Sequence, residues 1–584
     1  MAALRAFLGG RRTLLLLDNF EVVDAAAPVV SELLRSAPGL VVLATSRAPL
    51  RLSGEHQYRV QPLPLPDAVR LFGTRAREVA PSFRRPSEDA EEVALLCGRL
   101  DCLPLAIELA AARTRDYAPH ELLESVPGSL ELAGEGARDL PSRQRTLRAT
   151  IDWSYRLLTP DEQATFARLA VFAGGFVAAS AGSVCRAGRQ TLASLVGASL
   201  LGERVDAGGS MRWFMLETVR EYALDLLDEL GEGAIYRDRH AEHYAEVAEA
   251  GEDEHPASGS GAAWRQLEAE QDNFRAALGW SRASGTVELE LRLVGALAYF
   301  WATSDHLLEG RDWIADALQH ADDVPAPLRA KALAGAALVA HSLGDYEGMQ
   351  RCAEASLELF RGLGDERRTA LALNQLGIAL SNLGDLDGGI VCHEEGAAIS
   401  RRLGDGIRLS AALNNLGYCL LRQRRYDRAT ALFEEGLAVC RQIGHRTGES
   451  VMLGNLGLAA VFEGRPAEAL EFFRLALLID RELDYAEGLI YGLVGVAAAL
   501  SNGAGAPDAA VLLGAAHAAA QATAVELEPL EAELEANLRE TLRAALGAER
   551  LAQADAAGRT VGLSEAVEQA LRAAGSHNTA AGQA

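Results

Sequence analysis

Residues 376–405 read LGIALSNLGDLDGGIVCHEEGAAISRRLGD. Forty residues later the pattern returns as LGYCLLRQRRYDRATALFEEGLAVCRQIGH, 416–445, and again as LGLAAVFEGRPAEALEFFRLALLIDRELDY, 456–485. Leu-Gly pairs align at Leu376-Gly377, Leu416-Gly417 and Leu456-Gly457. Glycines suited to helix ends stand at Gly344, Gly384 and Gly464, with Arg424 in the remaining slot. Small residues recur at Gly389, Ala429 and Ala469, and a bulky one follows four positions on, at His393, Phe433 and Phe473. A second small position is Gly396, Gly436 and Ala476. Small residues let two antiparallel helices approach, and a knob from one fills the gap in the other. A fixed period of helix–turn–helix units reads as a stacked array with a continuous core and a concave face. Four clear units run from about Leu333 to Gly488, with weaker helix pairs over 291–321 and 490–521.

Bulk properties frame the rest. The chain has 584 residues, 49% of them hydrophobic, and a formal net charge of −25. That length holds several domains. Residues 1–140 carry 16 arginines against 19 acids, and residues 141–250 carry 12 against 15. Residues 251–584 therefore carry the remaining −19, which argues against nucleic acid there. Seven cysteines are scattered without a CxxC pair, the pattern of reduced thiols in a cytoplasmic protein. No stretch reads as a membrane span or a secretory leader.

The N-terminal segment has a different rhythm. LLLLDNFEVV, 14–23, and VVLATSRAPL, 41–50, are apolar runs ending in polar residues. That is how buried parallel strands read where they reach a ligand crevice. Thr13–Leu17 and Leu40–Ala44 are the expected strands. Asp24–Arg35 is the helix between them, with Val29, Val30, Leu33 and Leu34 facing inward. Asp18 and Asn19 then follow the first strand, and Thr45, Ser46 and Arg47 the second. A carboxylate placed like Asp18 holds Mg²⁺ in P-loop ATPases. The matching loop, GxxxxGK[ST], is absent, and the only lysine is Lys331. Downstream, LCGRLDCLPLAIELAAAR, 96–113, places Pro104 where a helix can begin.

Together LLLLDN, LATSR and LPLAIELAAAR resemble the signal-transduction ATPases with numerous domains, the STAND or NB-ARC-like class. The likeness is strongest to the bacterial ATP-binding regulators that join this ATPase to helical repeats. It implies Asp18 as the Walker B carboxylate, beside Asn19, and Arg47 as the sensor of the terminal phosphate, beside Thr45 and Ser46. It implies that Pro104, with Leu103 and Leu105, packs at the adenine end. Cys102 replaces the usual glycine before that motif. RQRTLRATIDWSYRLLTPDEQATFARLAVFAGGF, 143–176, resembles the winged-helix domain that follows, with Trp153, Leu157, Leu158, Phe166 and Leu169 as core. Met215, Leu216 and Glu217 fill the slot of the family's MHD motif. Leucine cannot donate to a phosphate, so that ADP contact is lost. The array itself resembles tetratricopeptide repeats, with Gly377, Gly417, Gly457, Ala429 and Ala469 as packing positions.

The expected fold is therefore mostly α: a partial P-loop α/β remnant, a winged helix, then a tetratricopeptide superhelix. Its domains are 1–65 (NTPase core), 66–140 (helical subdomain), 141–232 (winged helix), 233–290 (connecting helices), 291–525 (repeats) and 526–584 (helices and a disordered tail after Gly575). The resemblance implies a transcriptional regulator switched by ATP or ADP with Mg²⁺, N-terminally truncated and inactive as an ATPase in this form. A lost or upstream P-loop both fit the truncation. The alternatives are a scaffold with a vestigial NTPase and a DNA-binding regulator acting through the winged helix. The repeat face is expected to take a protein or peptide partner with a basic segment. Self-association stays open, and DNA and membrane partners are disfavoured. His240, His243 and Glu246 share helical spacing but read as a solvated face, so no metal site is expected. Cys392-His393 reads as packing, because His393 fills the bulky slot.

Overall fold

The computed structural model describes residues 8, 12–18, 20, 26–46, 50, 52–58, 60–80, 90–100, 102–115, 117–125, 148, 151–206, 208–253, 262–501, 505–523 and 525–581. They form two compact units, Met1–Leu157 and Leu158–Ala584.

In the first unit β1, Thr13–Leu17, pairs in parallel with β2, Leu40–Ala44, with Thr13 opposite Leu40 and Leu17 opposite Ala44. The helix Ala27–Ser36 covers one face, burying Val30 and Leu33 over Leu15, Leu17 and Val42. Val29 and Leu34, expected inward, are exposed. At 100° per residue Val30 and Leu33 share one stripe, and the other two fall on its flanks. Strand side chains alternate between faces, so Leu14, Leu16, Val41 and Leu43 lie on the opposite face, and all four are exposed. Buried parallel sheets are ordinarily covered on both faces. The helices Leu65–Val79, Ala90–Arg99, Pro104–Ala112 and Pro119–Ser125 enclose a core of Phe72, Leu96, Leu100 and Ile107, which Trp153 joins. Leu157, expected in the core, is partly exposed.

The second unit opens with the helix Pro160–Leu169, held by a capping box in which Thr159 and Glu162 exchange hydrogen bonds. The helices Ala178–Cys185 and Arg189–Gly197 follow. Then come β3, Gly202–Val205, and β4, Met211–Phe214, paired antiparallel, and a bridge joins Phe176 to Trp213. The connecting helix Gly233–Asp253 corrects one expectation. His240 and His243 do not line a solvated face. His240 is buried with Nε2 3.2 Å from Asn273 Oδ1, and His243 bonds the Ser180 hydroxyl at 3.0 Å. Burial pushes His240 down to about 4. It belongs to a buried network. Arg212 Nη1 pairs with Glu270 Oε1 at 2.5 Å, Tyr244 Oη donates to Glu270 Oε2 at 3.0 Å, and Asn273 Nδ2 donates to the Gly175 carbonyl at 2.8 Å.

The repeats stack as helix pairs 326–342/346–363, 366–382/386–403, 406–422/426–443, 446–462/466–483 and 486–500/506–523. The pair 287–302/307–319 precedes them. The turn within each of the four pairs from 326 to 483 holds a left-handed residue. Gly344, Gly384 and Gly464 supply it, and Arg424 adopts φ 61° in the same slot. A non-glycine residue there is strained, with a cost of order 1 kcal/mol. The knobs close the pairs. A Cβ on Gly377 would lie 2.6 Å from the His393 ring, one on Gly417 2.5 Å from Phe433, and one on Gly457 2.8 Å from Phe473. Ala429 and Ala469 are fully buried beside them. One apolar cluster runs on from Ile390 to Ala574. The last helix reaches Ala581, past Gly575, where composition suggested that order would end.

Candidate functional site

The parallel register of β1 and β2 brings Asp18 and Thr45 together at the strands' carboxyl ends. The Thr45 hydroxyl donates to Asp18 Oδ1, and its amide donates to the Leu17 carbonyl at 2.8 Å. Ser46 follows Thr45. Asn19 and Arg47 lie outside the described residues. In the helical subdomain Leu103 is extended and Pro104 opens its helix at the first turn, as its missing N–H favours. Cys102 holds the left-handed turn at φ 53°, a conformation that suits glycine better. In the second unit, Met215 and Leu216 follow β4. Leu216 is an exposed N-cap residue for the helix Glu217–Glu229 and makes no side-chain cap bond. Lys331 is engaged elsewhere, with Nζ 2.5 Å from Glu252 Oε2.

A second site lies on the inner side of the array. A cavity of about 320 Å³ is lined by the first helices of successive units, through Asn382, Asn414, Asn455 and Tyr491, and by Glu528 and Glu531 from the C-terminal segment. The helix Pro529–Leu546 positions those acids by reaching back across the repeats. Tyr418 Oη donates to Glu531 Oε2 at 3.0 Å and accepts from the Leu530 amide at 3.1 Å. Arg424 pairs with Glu533, and Tyr491 Oη donates to the Glu526 carbonyl at 3.1 Å. An asparagine ladder links the units. Asn415 Nδ2 donates to Asn374 Oδ1 at 2.9 Å, and Asn455 Nδ2 to Asn414 Oδ1 at 2.7 Å. Each amide has two donors and two acceptor lone pairs, so these bonds leave capacity for a ligand backbone.

Buried titratable groups cluster here. Burial pushes Asp480 up to about 6 and Glu531 up to about 7. It pushes His393 down to about 4. Asp480 accepts from the Ser450 hydroxyl. Perturbed groups in a cleft mark a binding site more often than a plain surface does. Sequence reasoning placed the working surface on the repeats but missed these residues. Gln375, Asn415 and Asn455 recur at the same forty-residue step, a polar signal inside buried helices that could have found the ladder. No local pattern could pair Tyr418 with Glu531, 113 residues away.

Residues 369–442 and 408–482 match the tetratricopeptide repeat family. The array is built of tetratricopeptide repeats. The chain is also similar to a putative HTH-type transcriptional regulator from Mycobacterium tuberculosis, 37% identical over 398 residues, covering 65% of this chain and 44% of that protein. It thus spans less than half of that relative's length. It is 31% identical over 230 residues to the regulatory protein AfsR of Streptomyces griseus, covering 38% of this chain and 22% of that one. Among solved structures, a STAND protein with a tetratricopeptide repeat sensor from Pyrococcus horikoshii aligns with a TM-score of 0.49 at 14% identity. That alignment covers 95% of this chain and 81% of that one. Regulator relatives and tetratricopeptide repeats both agree with the STAND-type resemblance. No helix among the described residues is long and apolar enough to cross a membrane.

Proposed function

We propose that this chain is the signal-receiving portion of a STAND-type transcriptional regulator, in which the repeat array binds a protein or peptide partner. The inner cavity carries the reading. It is concave, partly apolar and lined by amide and hydroxyl groups from several successive units, the arrangement by which a solenoid reads an extended segment. The regulator relatives support the role. In this reading the winged helix lies within residues 141–232, and the Arg212–Glu270 pair ties it to the connecting helices. Asp18, Thr45, Ser46 and Arg47 are what the chain keeps of an ATP or ADP site with Mg²⁺, with Leu103, Pro104 and Leu105 at the adenine end. A photo-crosslinking residue at Gly454, inside the cavity, should capture the partner, and one at Arg204, on β3, should not. Capture from Arg204 alone, or retardation of duplex DNA at physiological salt, refutes the reading.

A second reading, a scaffold with a vestigial nucleotide site, is favoured by one observation. The only lysine is held by Glu252, so it offers nothing to a phosphate. Mg-ADP binding that is lost in Asp18→Ala decides for the switch.

A further inference from the structure

Several acids of the repeats pair with an arginine. Arg361 meets Glu395 at 2.6 Å, Arg401 meets Glu435 at 2.6 Å, and Arg446 meets Glu482 at 2.9 Å. The inner cavity gathers acids that lack such pairs. Asp480, Glu487, Glu528 and Glu531 all line it, against the single arginine Arg422. Arg422 is turned to the Ser381 carbonyl at 2.9 Å. Among the described residues no salt bridge reaches any of the four. Glu487 instead accepts from the Tyr485 hydroxyl at 2.8 Å and shares the Tyr491 hydroxyl, 3.1 Å away, with the Glu526 carbonyl. Asp480 and Glu531 are themselves buried.

Uncompensated carboxylates in a low-dielectric site are costly unless they protonate or find a cation. A second observation points to a missing ligand. His393 lines the same cavity and is almost fully buried, yet neither ring nitrogen has a hydrogen-bond partner. Among the described residues no three His, Cys, Asp or Glu side chains converge to hold a metal ion. Three tyrosines, Tyr418, Tyr485 and Tyr491, line the cavity with the acids. Aromatic faces beside carboxylates suit an organic cation, and a planar guanidinium can take carboxylates two bonds at a time.

We propose that this cavity binds a cationic nitrogen group, a guanidinium or alkylammonium, held by Glu531 and Glu487 against the tyrosine rings. The proposal rests on the repeat array being the partner-binding element and names the chemistry it selects. The cation comes from a free small amine or from an arginine or lysine side chain of a peptide.

The test is calorimetric titration of the full chain with agmatine, with acetyl-Gly-Arg-Gly-amide, and with the neutral citrulline form of that peptide. At least one cationic probe should bind ten times or more tighter than the citrulline peptide. Agmatine alone identifies a small amine, and the arginine peptide alone a peptide side chain. Glu531→Gln should lower that affinity at least tenfold. So should Gly454→Leu, because a Cβ at Gly454 meets nothing within 4 Å and a larger side chain can grow into the cavity. Glu434→Gln, elsewhere on the array, should change nothing. Affinity should fall as pH drops below 7. The groups facing Glu531 then are Tyr418, Arg422, Glu487, Tyr491 and Glu528. Equal binding of cationic and neutral probes, no binding of either, or full affinity in both cavity variants overturns the proposal. A partner still captured from Gly454 in that case leaves the array's role standing.

Discussion

Two helical glycines of the array should respond oppositely to the same substitution. Gly417, in the helix Gly406–Arg422, faces Phe433. A Cβ there would sit 2.5 Å from Cε1 and 2.8 Å from Cζ of that ring. Carbon contacts are comfortable at about 3.5–4.0 Å, so the ring must retreat by about 1 Å. It has no room to do so, because Phe433 is fully buried among Leu416, Ala429 and Leu437. Overpacking of this kind costs about 1–3 kcal/mol. Removing glycine from a helix interior returns about 1 kcal/mol. Gly417→Ala should therefore destabilise by up to about 2 kcal/mol. Gly454, in the helix Arg446–Phe462, faces open space, so Gly454→Ala keeps the full gain of about 1 kcal/mol. Native-state hydrogen exchange followed by mass spectrometry reads the two sites locally. Protection over 406–443 should fall in the first variant, and protection over 446–462 should rise in the second. Adding Phe433→Leu to Gly417→Ala should recover part of the loss, with a coupling of at least about 0.5 kcal/mol. Equal stabilisation at both positions, or no coupling, refutes the knob-in-gap account.

Three further outcomes follow from buried charge and from the proposed nucleotide remnant. Arg212→Met leaves Glu270 buried without its cation and should cost about 3–5 kcal/mol, with much of the loss recovered in Arg212→Met/Glu270→Leu by calorimetry. His393 is neutral and buried with a lowered affinity for protons, so its contribution is full above the unfolded value of about 6.5. That contribution is lost as pH falls toward 4, at about 1.4 kcal/mol per pH unit. Replacing it by the residue its sister units carry, as His393→Phe, should flatten the fall in melting temperature between pH 7 and 5, and an unchanged slope contradicts this. Mg-ATP should give no saturable heat up to millimolar concentration, because the phosphate cradle and its lysine supply most of the contacts in such sites. Micromolar affinity lost in Asp18→Ala would show otherwise.

The sequence by itself determined the array. A forty-residue step, Leu-Gly pairs and alternating small and bulky positions are local facts, and each helix pair obeys them with little outside help. The pattern even marked Arg424 as standing in a glycine slot, and its backbone takes the glycine conformation. The strands Thr13–Leu17 and Leu40–Ala44 were legible for the same reason, since apolar runs and turn residues are local. Tertiary structure alone decided which faces are covered. Val29, Leu34 and Leu157 look like core in one dimension, but exposure depends on neighbours far along the chain. His240 looked solvated until Asn273, 33 residues on, met it in the core. The inner cavity is the clearest case. Its carboxylates come from separate elements between residues 480 and 531, and burial raises Asp480 and Glu531. Burial is a property of the assembled superhelix, so no local pattern could reveal it.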